Sequence, residues 1–342
     1  MKLALVVHAP VPERSFTIDG GRAYTYQGAG RGSTYPSAKS IENRLFSNIW
    51  NIPFLYDGSF FFNYSEGLPQ RPDVDVVLAA YEVEHNRHFL KNQIHRLTKS
   101  PSQFMGDLRR AFPNAAIIAY AKEMHPQLSP LHRLTRTWFA SCDAVALPYI
   151  ESVRSWFASM IDRPVHFLPY PYAIDALQAA VPPAEKANVL MHVTRRHAGR
   201  AADTAFARSQ AERHGLELIE GVGLEWFKWL STIRGARICL NLDPTPRVGQ
   251  VPIECAILGT QHLGGQADAA VALFPDTATI DRGRLEALLD QMIEQPAYDP
   301  RPAEQRVRER HSFEAARRAL GAICSQLRGE RGLDPVAVAG RR

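Results

Sequence analysis

A chain of 342 residues, 45% apolar and 22% charged, is long enough for two domains with cores of their own and has the balance of a globular protein. It holds no run of about 18 apolar residues, which excludes a transmembrane helix, and its first apolar run is too short for a signal peptide, so cytoplasmic residence is expected. The four cysteines form no Cys-x-x-Cys pair and read as small core hydrophobes, not a zinc site or disulfide framework, while the net charge of +5 suits an anionic partner without choosing among nucleotide, lipid surface and nucleic acid.

Leu3 to Val7 predicts a buried first strand. Asp75–Ala79, Ala116–Tyr120 and Ala144–Leu147 are similar short apolar runs with helical sequence beside them. That alternation is the pattern of a parallel sheet covered on both faces. The segment 11–64 is longer than a usual β–α connection and rich in Gly, Tyr, Phe and Ser. It contains Gly20-Gly21, and a glycine-rich loop after a first strand lets backbone amides approach a phosphate. The aromatic cluster from Phe54 to Tyr64 reads as core. Glu123 and His125 follow the strand that ends at Tyr120; strand ends that face a crevice are where reacting groups are met and protons accepted. Residues 1–172 make the first domain, and 173–187, with Pro182-Pro183, the linker.

A second alternating half, 188–330, opens with the strand Asn188–Val193. Arg195, Arg196 and Arg200 come directly after it, and cations at the start of a helix oppose its dipole, which points to an anionic ligand. The helix 202–214 stops at Gly215, a strand 216–219 follows, then a Trp- and Lys-rich helical segment 224–233. Arg237–Leu242 predicts a buried strand, Asp243–Gln250 a Pro- and Gly-bearing loop with Arg247, Val248 and Gly249. The next helix is opened by Pro252, carries Glu254 in its first turn and ends at Gly259. A strand around Gln261 and helices over 287–295 and 302–326 close the half, and 331–342 is expected to be disordered. The class is α/β: two Rossmann-like doubly wound domains facing each other across a cleft. A strand, a Gly/Pro loop and a helix N-terminus at the edge of such a sheet make a site for a phosphorylated ligand.

Gly249, Val251, Pro252, Glu254, Cys255 and Gly259 carry a resemblance to the donor-site signature of the retaining nucleotide-sugar glycosyltransferases of the GT-B fold, family-four type. Cys142 to Pro148 is similar to a further strand of that family. The resemblance implies that Glu254 holds the ribose hydroxyls of the donor. It also implies that Arg195 and Arg200 clamp the diphosphate with Arg196 as a spare cation, that Gly20-Gly21 lies beside the phosphates, and that Glu123 or His125 meets the sugar or takes the acceptor's proton. The family's first glutamate falls on Pro246, eight positions before Glu254, and is absent; Arg247 or the backbone at Val248 and Gly249 would meet the donor instead.

The implied activity is transfer of a sugar from a nucleoside-diphosphate donor to an acceptor, a glycan, lipid, small molecule or DNA, with retention at the anomeric carbon. The donor is a substrate, and neither cofactor nor metal is called for. Two alternatives stand beside this: a transferase acting on modified bases of DNA, and a catalytically silent protein that binds a nucleotide-sugar or a partner protein.

Overall fold

Short runs of β-branched and small apolar side chains build two parallel sheets, buried along most of their central strands. The computed structural model describes residues 1–7, 15–18, 22–25, 52, 55–56, 59–64, 67–80, 100–120, 133–148, 159, 161–194, 199–221, 224, 226–244, 248–295 and 298–330. Two compact units result.

The first unit holds β1 (Leu3–Val7), β4 (Phe60–Asn63), β5 (Val76–Ala80), β6 (Ala116–Tyr120), β7 (Ala144–Leu147) and β8 (Val165–Phe167) in one parallel sheet of order β4-β1-β5-β6-β7-β8. A separate antiparallel pair, β2 (Ser15–Ile18) with β3 (Arg22–Thr25), and the strand β4 both fall within the segment that the sequence left without strands. Helices α1 (Pro101–Ala111) and α2 (Arg133–Ser141) pack on each other beside the sheet. Helix α1 starts on a capping box, in which Ser100 Oγ accepts from the Gln103 backbone N–H and the Gln103 side chain accepts from that of Ser100. Asp143 binds Arg109 through both oxygens at 3.0 Å and takes the Ile117 backbone N–H at 2.7 Å, tying α1 to β6 and β7.

Among the described residues the second unit runs from Ala173 to Ser312. Its elements are α3 (Ile174–Ala180), β9 (Ala187–Val193), α4 (Arg200–Arg213), β10 (Glu217–Glu220), α5 (Trp226–Gly235), β11 (Ala236–Asn241), α6 (Gln250–Leu258), β12 (Gln261–Gly264), α7 (Asp268–Leu273), α8 (Arg282–Glu294) and α9 (Arg301–His311). The sheet is parallel, in the order β10-β9-β11-β12. Helices α4 and α8 bury Ala207, Ala211, Leu285 and Leu289 against Leu190, Ile238, Leu240 and Leu263 on one face. Helices α5, α6, α7 and α9 are grouped together, with α5 against β9 and α6 against β12. Each face is therefore covered, as a doubly wound sheet requires.

Two boundaries differ from the sequence reading. The segment 173–187 is not a bare linker: α3 buries Ile174 and Leu177, and Gln178 donates to Ile257 O at 2.9 Å and to Glu304 at 3.0 Å, so it is part of the second unit. The second closing helix breaks at Ser312, and its later part, α10 (Phe313–Glu330), belongs to the first unit. There Arg317 Nε donates to Leu55 O at 2.8 Å and Tyr56 Oη to Arg317 O at 3.1 Å. All four cysteines are buried free thiols. Among the described residues no helix is long and apolar enough to cross a membrane. The tail 331–342 lies outside the described residues.

Candidate functional site

In the second unit the winding reverses between β9 and β11. From β9 the chain passes through α4 to β10 on one edge; from β11 it passes through α6 to β12 on the other. Loops that leave neighbouring parallel strands in opposite directions open a crevice at the strands' carboxyl ends. Here those segments follow Val193 and Asn241; the sequence reading put Arg195, Arg196, Arg247, Val248 and Gly249 in them, and Arg200 and Glu254 on the helices that come next. The topology thus brings Arg200, Val248, Gly249 and Glu254 to the elements that flank one switch point. Arg195, Arg196 and Arg247 in the same loops, and Gly20, Gly21, Glu123 and His125 in the first unit, lie outside the described residues.

The strand ends are held firmly. Leu242 N donates to Val193 O at 2.9 Å and Asp243 N to the Asn241 side chain at 3.0 Å. A Cβ at Gly264 would stand 2.3 Å from Asn241 O, so only glycine allows β12 to turn there, at φ 95°. On the α4 side, Thr194 Oγ1 donates to Asp203 Oδ2 at 3.1 Å, and the other Asp203 oxygen takes the Arg282 guanidinium. That guanidinium also lies over the Phe206 ring, 4.3 Å from its centre. Arg200, the first residue of α4, points its guanidinium to Glu220 at 4.0 Å, too far for more than a weak surface attraction. His192 is buried beneath this cluster, and burial lowers its pKa. Within β12, burial takes His262 down to about 3, so its ring is neutral there.

The other loop ends in a helix start set by one residue. Gly249 is in the left-handed region at φ 83°, and a Cβ there would meet Ala267 Cβ at 2.6 Å and Pro252 Cγ at 2.9 Å. The helix begins at Gln250, two residues before the Pro252 start read from the sequence, because the left-handed glycine supplies the cap. Glu254 therefore stands in the second turn, not the first. The backbone N–H groups of Gln250 and Val251 have no partner within the helix, as at any helix start, and Gln250 is exposed. They offer an anion two donors along the helix dipole.

Displacement into the second turn changes what Glu254 is. A first-turn acid would be stabilised as an anion by the dipole. Glu254 is instead buried, at 5% exposure, and burial pushes its pKa up to about 7; the one opposing influence is a hydrogen bond from Trp229 Nε1 to Oε2 at 2.7 Å. Trp229, on α5, is half-buried and packs its six-membered ring onto Gly221 at the end of β10. The sequence reading noted the Trp-rich segment and gave it no role. No spacing signals the contact, since the two residues are 25 positions apart and meet only through tertiary packing. Among the described residues no group of three His, Cys, Asp or Glu side chains is placed to hold a metal ion.

No protein-family model matches the chain, and no curated protein matches it in sequence. Solved structures do match in shape. HepE of Anabaena, crystallised with UDP, is 10% identical with a TM-score of 0.54, over 95% of this chain and all of that one (100%). The same protein with UDP and glucose gives 12% and 0.50, over 74% of this chain and 78% of that one. The alpha,alpha-trehalose 6-phosphate synthase of Burkholderia multivorans is 14% identical with a TM-score of 0.52, over 76% of this chain and 73% of that one. The likeness is one of fold: this chain has the GT-B architecture of two Rossmann-like units.

Proposed function

We propose that this chain is a glycosyltransferase that moves a sugar from a nucleoside-diphosphate donor, with the donor seated at the switch point of the second sheet. The observation that carries the reading is the pairing, at that point, of an anion-receptive helix start at Gly249–Val251 with the carboxylate of Glu254, on a fold shared with a protein crystallised with UDP and glucose. In this reading the diphosphate lies against the Gln250 and Val251 amides and the guanidinium groups of Arg195, Arg196 and Arg200, with Arg247 and the Val248–Gly249 backbone near the sugar. Developing charge on the leaving phosphate is what those donors stabilise. Glu254 accepts from the ribose hydroxyls. Gly20-Gly21, Glu123 and His125 serve from the first unit, the glycines near the phosphates and the other two near the sugar and acceptor. Configuration is retained by front-face attack, with the leaving phosphate taking the acceptor's proton and positioning supplying most of the rate.

The test needs no acceptor. Thermal denaturation with UDP, GDP, ADP and their common sugars should show stabilisation by one base series, and the donor so found should be hydrolysed slowly or transferred. Arg195→Ala and Glu254→Ala should each lower turnover by a factor of about 100, the usual range for loss of one charged contact to the transition state. Full turnover in both variants overturns the residue assignment. Pro246, in place of an acid, favours a second reading, a binder without catalysis. That reading predicts stabilisation by the same ligand with no turnover of any donor.

A further inference from the structure

The Trp229–Glu254 contact is more specific than a packing contact requires. A carboxylate can accept about four hydrogen bonds. Among the described residues Glu254 has one donor, the indole N–H, on Oε2. With that one donor the carboxylate has capacity to accept further hydrogen bonds, which a ligand hydroxyl can use. The indole is set rigidly. Its ring rests on Gly221, where even a methyl group would lie 2.4 Å from Trp229 Cζ3 and 3.0 Å from Met191 Cε. Trp has no other polar atom, so its N–H can only donate, and the oxygen that it holds is fixed.

We propose that Trp229 is a positioning residue whose indole N–H holds one oxygen of Glu254, leaving the other to accept from a ribose hydroxyl, so that the second unit prefers ribonucleoside diphosphates to their 2′-deoxy forms. This rests on the donor reading given above. It adds the residue that orients the acceptor and the sugar feature that is selected. A site built to accept from a hydroxyl rejects the analogue without one, because its own polar group is then left unpaired. The contact also bears on the protonation state, opposing the larger effect of burial. Burial raises the Glu254 pKa and the indole bond lowers it. Among the described residues no charged group on α3, α5, α7, α9 or β12 contributes to that shift, and Cys255 is the titratable neighbour that feels Glu254. The carboxylate accepts strongly only when ionised, so selectivity for ribose should rise as the pH passes about 7.

The experiment measures binding of UDP, GDP and ADP and of their 2′-deoxy counterparts by calorimetry, from pH 5.5 to about 8.5, a window spanning the Glu254 pKa. The ratio of ribo to deoxy affinity is the readout, because ionisation of the phosphates cancels in it. The wild type should favour the ribonucleotide by about tenfold or more above pH 7, as expected for one hydrogen bond to a charged group. Trp229→Phe keeps the ring and removes the donor; its ratio should fall below about threefold at pH 7, recovering only at higher pH. Gly221→Ala, which displaces the indole without altering it, should move the ratio in the same direction. Glu254→Gln should show no pH dependence of the ratio. If the wild type binds a diphosphate but Trp229→Phe and Gly221→Ala keep its ratio and pH profile, Trp229 only packs and the inference fails while the donor reading stands. If the wild type binds none of the six compounds, the donor reading falls and this inference with it.

Discussion

Glu254 costs the fold stability at the pH where it is useful. Its folded pKa of about 7 lies above the ordinary carboxyl value of 4.5, so between those values the folded chain holds a proton that the unfolded chain has released. The contribution is fully present below pH 4.5 and is lost as the pH rises through 7, by about 3 kcal/mol for a separation of this size. Glutamine in its place is neutral at every pH and its amide oxygen can still accept from the indole. Glu254→Gln should therefore melt higher than the wild type at pH 8 and close to it at pH 5, while binding the nucleotide less well. Calorimetric scans at the two pH values check this; a variant less stable than wild type at pH 8 would contradict the burial argument. At this scale the sequence showed the acid, because a Gly-x-x-Pro-x-Glu frame is local. Trp229 was illegible for the opposite reason: its partner is chosen by how α5 and α6 pack together, which no local pattern encodes.

At the scale of elements, most of the second sheet could be read from apolar runs alone, and β9, β10, β11 and β12 lie within a residue or two of their expected positions. The start of α6 differs from the expectation because proline is a strong local signal, whereas the role of a glycine depends on φ. The structure puts the burden on Gly249. Gly249→Ala would force a Cβ into Ala267 and Pro252 and hold alanine at φ 83°. The left-handed penalty of about 1 kcal/mol and overpacking of a further 1–3 kcal/mol should lower the melting temperature. More telling, the helix start must shift to relieve the clash, so nucleotide affinity should fall as well. Affinity equal to wild type in a destabilised variant would show that the α6 amides do not meet the ligand. The opposite loop depends on Asp203, which is 5% exposed. Removing its cation in Arg282→Ala leaves a buried carboxylate that has lost its guanidinium partner, though it still accepts from the Thr194 hydroxyl. Loss of one partner of a buried pair costs about 3–5 kcal/mol, and the 41% exposure of the Arg282 side chain places this case at or below the lower figure. Chemical denaturation should show that loss with an unchanged slope.

The molecule as a whole is less simply divided than chain order implies. The sequence assigned 188–330 to one domain because an amphipathic helix that follows α9 has no label saying where it docks; the apolar stripe Leu320, Ile323, Cys324, Leu327 announces a buried face and nothing about its partner. In the structure that face serves the first unit, where Arg317 reaches Leu55 and Arg328 lies 4.0 Å from Asp75. Among the described residues the chain therefore passes from one unit to the other after Tyr172 and back after Ser312. A chain ended at Ser312 would lose part of the first unit's core and none of the second. Its first unit should expose apolar surface and unfold at lower temperature. The second, with β9 to β12, α3 and α9 intact, should keep its own transition and still be stabilised by the nucleotide that stabilises the full chain, by about 2.7 kcal/mol at a hundredfold excess over Kd. Two resolved calorimetric transitions, of which only the upper responds to ligand, is the expected record. Loss of ligand response on removing α10 would mean that the site needs the first unit for binding as well as for catalysis, and would move the nucleotide's contacts away from the β9–β11 switch point.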